Sequence, residues 1–107
     1  MKTITICGSM RFEQEMQQTA FVLETEYGFN VLQCVYGNKK LIESEIDNLV
    51  KAHYRKIDLS DAVYIMDING YIGNSVKKEI DYAKSKGKEV IYNSKFIISK
   101  ENKQNLI

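Results

Sequence analysis

Proline is absent from the 107-residue chain and histidine occurs once; nothing functional follows from the missing proline. Cysteine is scarce as well. Cys7 and Cys34 are the only two, and neither has a CxxC partner or a histidine-rich neighbour, so neither a metal nor a cofactor is expected and both read as reduced core thiols of a cytoplasmic protein. No excess of one charge exists either: fifteen Lys and Arg against fourteen Asp and Glu leave a net +1, which argues against a nucleic-acid polymer or a membrane surface as partner. The lysines between 95 and 103 read as a solvated tail. Long apolar runs are missing, and the first eight residues alternate apolar and polar before reaching a turn, so neither a signal peptide nor a membrane span is expected. With no repeat, low-complexity tract or linker, residues 1–107 read as a single domain. What remains, 44% hydrophobic and 27% charged residues, is the balance of a soluble globular protein.

Residues 2–7 place Ile4 and Ile6 on one face and Thr3, Thr5 and Cys7 on the other, which predicts a first strand ending at Gly8-Ser9. From Met10 the period becomes helical: Phe12, Met16, Ala20 and Leu23 recur on one side with Val22 beside them, Ser9 is the better N-cap, and Gly28 supplies a left-handed stop. A second strand is expected over 30–36, ended by Gly37-Asn38. Residues 40–57 then carry Leu41, Ile42, Ile46, Leu49, Val50, His53 and Ile57 at helical spacing, an apolar stripe over four or five turns. The run from Ala62 to Met66 is apolar on both faces, as a central parallel strand covered by helices on both sides must be. Val76, Ile80 and Ala83 mark the buried face of a third helix closed by residues 85–88, and 89–92 make a fourth strand. Residues 96–98 read as a fifth strand followed by a frayed helix, or as a segment packed on a partner. The order βαβαβαβ predicts a three-layer, doubly wound α/β domain with a parallel sheet of four to five strands.

In such a sheet, ligands bind outside the carboxyl ends of the strands where strand order reverses, here between the first and third strands. Two glycine-containing turns would meet there. One is Gly8, Ser9, Met10 and Arg11; the other runs from Asp67 through Asn69, Gly70, Tyr71 and Gly73 to Asn74 and Ser75. Each leads into a helix N-terminus, whose free N–H groups attract anions, and Arg11 adds planar donors suited to phosphate or carboxylate. The alternative is a tight turn and a cap with Arg11 in solvent, since neither GxGxxG nor a Walker sequence is present. Tyr71 either closes over a flat ring such as a nucleobase or packs on the loop or a partner chain.

Glu79 is the most informative acid. On a helical wheel it lies about 40° from Ala83 and about 60° from Val76, so it borders the buried stripe near the start of its helix. A partly desolvated carboxylate at a crevice could act as a nucleophile or stabilise a cationic sugar; the alternative is a glutamate that complements the helix dipole or pairs with a lysine. Asp67, at the carboxyl end of the third strand, is placed to hydrogen-bond a ligand. Asp61 stands at the amino end of that strand and would ordinarily be a turn residue. His53 falls on an apolar stripe, where a lone histidine is more often a satisfied core residue than a catalyst.

Three blocks carry a resemblance: Ile-Thr-Ile-Cys-Gly-Ser-Met-Arg-Phe from Ile4, Lys-Ile-Asp-Leu-Ser-Asp-Ala-Val-Tyr-Ile-Met from Lys56, and Asn-Gly-Tyr-Ile-Gly-Asn-Ser-x-x-x-Glu-Ile-x-Tyr-Ala-x-x-x-Gly-Lys from Asn69. Over about residues 3–92 the chain resembles the nucleoside 2-deoxyribosyltransferase-like superfamily, especially its small members, some from phages, and more distantly the deoxyribonucleoside 5'-monophosphate N-glycosidases. The resemblance implies a flavodoxin/Rossmann-like fold and cleavage of an N-glycosidic bond through a covalent glycosyl-enzyme. Glu79 would be the nucleophile and Asp61 its supporting acid. Gly8, Ser9 and Arg11 would hold a 5'-phosphate, with Gly73 and Ser75 in a second phosphate loop. It also implies a nucleoside or nucleotide partner and a homodimer or higher homo-oligomer, without metal or redox cofactor. Thr5 stands where the family has a tyrosine, and Gly73 where it has an aspartate. The second reading from the same residues is a catalytically silent nucleotide-binding or interaction module.

Overall fold

The computed structural model describes residues 1–37 and 39–96. Strand β1 (Thr3–Cys7) enters a short 3-10 turn and then helix α1 (Glu13–Thr25); β2 (Asn30–Leu32), α2 (Glu43–Asp58), β3 (Ala62–Ile65), α3 (Asn74–Ser85) and β4 (Glu89–Tyr92) follow. All strands are parallel, in the order β2-β1-β3-β4. Strand order therefore reverses between β1 and β3, which pair from Ile4↔Ala62 to Cys7↔Ile65.

Alternation along β1 sorts the two helical layers. Ile4 and Ile6 join Ala62, Tyr64 and Met66 beneath Met16, Ala20 and Leu23 of α1. Cys7 points the other way and joins Val63 and Ile65 with Ile57 of α2 and Val76, Ile80 and Ala83 of α3. The result is a three-layer doubly wound sandwich whose β3 is buried at every position, as its uninterrupted apolar run requires. Among the described residues no helix is long and apolar enough to cross a membrane.

Several expected boundaries move for physical reasons. Ser9 caps a 3-10 turn over Met10–Phe12 rather than the α-helix itself, accepting from the Arg11 N–H. Strand β2 stops at Leu32, four residues early; the next carbonyl, of Gln33, accepts from the Lys56 ammonium at 2.6 Å instead of continuing a ladder. Phe96 is helical, not strand, and packs edge-on against Tyr64 and Tyr27; the rest of the expected fifth strand lies outside the described residues.

The largest correction concerns α2. Of its apolar stripe only His53 and Ile57 are buried, while Ile42, Ile46, Leu49 and Val50 are exposed. A helix of 16 residues is about 24 Å long, whereas a strand of five residues covers only about 16 Å. The first half of α2 therefore overhangs the sheet, and no core lies beneath it.

The β1 exit is packed without slack. A Cβ built on Gly8 would lie 2.8 Å from Met16 Sδ and 2.9 Å from Met66 Cβ, and the latter atom is fixed to the backbone of the neighbouring strand's end. Gly8→Ala is expected to destabilise the fold by about 1–3 kcal/mol through overpacking, read as a lower midpoint in urea unfolding; an unchanged midpoint would show that the strand end can shift freely.

Candidate functional site

The two turns predicted to meet do so, and Tyr71 joins them. The Arg11 guanidinium stacks 3.9 Å from the centre of the Tyr71 ring, and Phe12 meets the same ring edge-on at 6.0 Å. The Tyr71 hydroxyl in turn reaches the space beside Gly73, lying 3.6 Å from where a Cβ would be. Asn69 and Gly70 take positive φ values of 55° and 78°, the left-handed pair that sends the chain from β3 toward α3. Gly73 begins α3 in extended conformation with no side-chain cap, so the first-turn N–H groups at Asn74 and Ser75 face outward at an exposed helix start. Arg11, Tyr71 and the α3 N-terminus thus lie along one edge of the domain.

The other expected acids are placed differently. Asp61 sits at the amino-terminal edge of the sheet, where its Oδ2 accepts from the Thr3 N–H at 2.8 Å. The length of β3 separates it from Glu79, so a direct catalytic partnership with Glu79 is excluded in this conformation; its role is to tie the start of β1 to the start of β3. Asp67 is at the expected carboxyl end of β3, but one oxygen accepts from the Ser94 N–H at 2.9 Å and the other from the Ser94 hydroxyl at 2.7 Å. It anchors the helical segment 93–96 rather than presenting a bare carboxylate. A hollow of about 400 Å³ opens beside it on the α1 side of the sheet, away from Glu79. Gly8 is explained by close packing, and Ser9 by its capping bond. Thr5 is fully buried and bonded to the Lys56 carbonyl and the Ser60 hydroxyl, which anchors β1 to the end of α2.

Glu79 is where the chemistry gathers. Its Oε1 lies 3.3 Å from His53 Nε2, with side chains only 16% and 11% exposed. Cys7, the last residue of β1 and wholly buried, brings its Sγ to 3.5 Å from the same nitrogen. The three donor atoms lie within 4.8 Å of one another. Three elements meet here, the end of β1, the inner face of α2 and the second turn of α3, one turn-length from the Gly8 to Arg11 segment. Tyr54 and Tyr82 stand edge to face at 4.8 Å nearby, and the Tyr54 phenol is held above its ordinary pKa by burial and then by the Glu79 charge.

Protonation follows from these contacts. Burial, assisted by the Glu79 carboxylate, pushes the Cys7 thiol up to about 12 against the opposing pull of His53. For His53, burial disfavours the charged ring, but its bonds with Cys34, Cys7 and Glu79 outweigh that cost and raise its pKa above the ordinary 6.5. With Cys7 a neutral thiol, His53 is the protonated member of the cluster, 3.3 Å from Glu79 Oε1. Sequence reasoning placed His53 on a buried stripe and Glu79 at its border, yet missed Cys7 as their neighbour. No local motif links positions 7, 53 and 79; only the alternation that turned Cys7 toward the α2 layer was readable.

A histidine whose pKa is raised on folding adds stability that is complete below its unfolded value and is lost only as pH rises through the folded one. Because the chain has one histidine, its ring resonances are unambiguous. They are expected to show no titration through pH 6.5, the ordinary value, while Glu79→Gln lowers the pKa by at least about one unit, worth ~1.4 kcal/mol; a wild-type ring that titrates normally would remove the ion pair. Compared with family models, curated proteins and solved structures, the chain matches none of them.

Proposed function

We propose that the protein cleaves the N-glycosidic bond of a deoxynucleoside or its 5'-monophosphate, with Glu79 as nucleophile. The observation that carries this reading is the Glu79 carboxylate itself, half-buried at the point where strand order reverses and held by a charged His53 at 3.3 Å. In the expected reaction Glu79 Oε bonds to C1' while the C1'–N bond breaks, and the base departs with the bonding electrons and takes up a proton. Water, or a second base, then attacks C1' and returns the carboxylate, losing its proton. His53 orients the nucleophile and keeps it from turning away; Asp61 and Asp67, engaged elsewhere, have no part in the step.

Arg11 and the α3 N-terminus support a nucleotide over a nucleoside. A guanidinium held over the Tyr71 ring can offer donors to a 5'-phosphate, and the uncapped N–H groups at Asn74 and Ser75 add donors of the same polarity. Gly73, with no acid beside the Tyr71 hydroxyl, and Thr5, already bonded to Lys56 and Ser60, favour the second reading, a module that binds a nucleotide without cleaving it. The free thiols Cys7 and Cys34 suit a reducing cytoplasm.

Incubation with each deoxynucleoside 5'-monophosphate and chromatography of the products tests the proposal. Free base is expected, with Glu79→Ala slowing its release about a thousandfold or more, and Arg11→Ala raising KM about tenfold for the monophosphate alone, the loss of ~1.4 kcal/mol of phosphate binding. Base release that survives Glu79→Ala would sink the assignment, and tight binding without release would favour the silent module. The exposed Ile42, Ile46, Leu49 and Val50 on α2 support a homo-oligomer, for which light scattering is expected to give at least twice the monomer mass and Ile46→Glu a monomer; a monomeric wild-type chain rules it out.

A further inference from the structure

The Cys7, His53 and Glu79 cluster holds three unlike donors, and their spacing suits a further ligand class. Zinc binds thiolate at about 2.3 Å, imidazole nitrogen at about 2.0 Å and carboxylate oxygen at about 2.1 Å. At tetrahedral angles those lengths separate sulfur from nitrogen by about 3.5 Å and nitrogen from oxygen by about 3.4 Å. The observed separations are 3.5 Å from Cys7 Sγ to His53 Nε2 and 3.3 Å from His53 Nε2 to Glu79 Oε1. Cys7 Sγ and Glu79 Oε1 both lie near the same ring nitrogen, and the three donor atoms fall within 4.8 Å of one another.

We infer that Cys7 Sγ, His53 Nε2 and Glu79 Oε1 form a three-ligand zinc site with its fourth position open toward the Glu79 side. Three protein ligands of mixed type with one free position are the pattern of reactive rather than purely structural zinc. Charge balance supports it. A thiolate, a neutral ring and a carboxylate carry two negative charges between them, which one divalent cation cancels, so the occupied site leaves no net charge to desolvate. The donors need little reorganisation, because each sits on a regular element: β1, α2 and α3. Cys7 is fully buried and Glu79 the more exposed end, so the ion enters past the carboxylate. Zinc and glycoside chemistry then compete for the same oxygen, and a bound ion masks the nucleophile.

The inference does not depend on the glycosidase reading, and its test involves no substrate. The full-length chain, stripped with chelator under reducing conditions, is titrated with cobalt(II) as the probe and then with zinc. One equivalent of cobalt is expected to give the intense visible bands of a tetrahedral ion with a sulfur-to-cobalt charge-transfer band, both erased by one equivalent of zinc. Cys7→Ser loses the charge-transfer band and Cys34→Ser keeps it; His53→Ala and Glu79→Gln weaken zinc at least about tenfold, the least that even outer-shell changes cost. Where a variant fails to fold, the wild-type chain suffices: one equivalent of zinc shifts the single histidine's ring resonances. Absence of a stoichiometric site, a weak octahedral spectrum, or a charge-transfer band that follows Cys34 instead of Cys7 overturns the inference. Base release that fails in the chelator-stripped chain, while the same preparation binds cobalt, would reject the glycosidase alone.

Discussion

A histidine ring and a glutamate side chain that meet beneath the surface lose most of their hydration, and each then relies on the other as a polar partner. The His53–Glu79 contact is of this kind, and it bridges α2 and α3 over the end of β1. Its partners on every side come from the fold: Cys7 from the strand below, Tyr54 from the next position of α2, and Ile80 from the next position of α3. Replacing the glutamate would strand a positive ring over a buried thiol. Replacing the histidine would leave a carboxylate facing the β1 end unaided. The pair therefore constrains how α2 and α3 lie on the sheet, as much as the sheet constrains the pair.

The acids of this chain divide by what they already hold. Asp61 takes a backbone donor at the start of β1, Asp67 takes two donors from Ser94, and Asp58 accepts from the Tyr82 hydroxyl. Each stabilises a junction between elements. Glu79 differs because its partner is a titratable ring rather than a fixed N–H or hydroxyl, so its environment changes with whatever adds or removes a proton or a cation nearby. Arg11 differs among the bases in a similar way: its guanidinium lies over the Tyr71 ring, a cation–π contact that holds it beside the turn before α3.

Layering was legible because it depends on short-range patterns. The unbroken apolar run of β3 announced a central strand, and alternation in β1 assigned Ile4 and Ile6 to one helical layer and Cys7 to the other. The border position of Glu79 followed from helical angle alone. What could not be read depended on lengths and on distant partners. The α2 stripe is continuous in sequence, but the strands are too short to lie under all of it, and no pattern within 40–57 records how long the strands will be. Asp61 and Asp67 were readable as standing at opposite ends of β3, but the donors that engage them, from Thr3 and Ser94, were not. The ring of His53 was placed on a buried face, whereas its chemical neighbours were set by a sheet order that brings residues 7, 53 and 79 to one point.

That sheet order also sets the time at which the cluster can exist. Parallel strands pair only after a crossover closes, so Cys7 meets His53 only when β3 has docked beside β1, and Glu79 arrives only when the next helix folds back. No hairpin, single helix or early fragment contains even a partial version of the site. Each contact of the cluster joins residues far apart in sequence, since its members stand at positions 7, 53 and 79. A half-assembled sheet therefore has an unaccompanied thiol at the end of β1, and only the finished topology has a site.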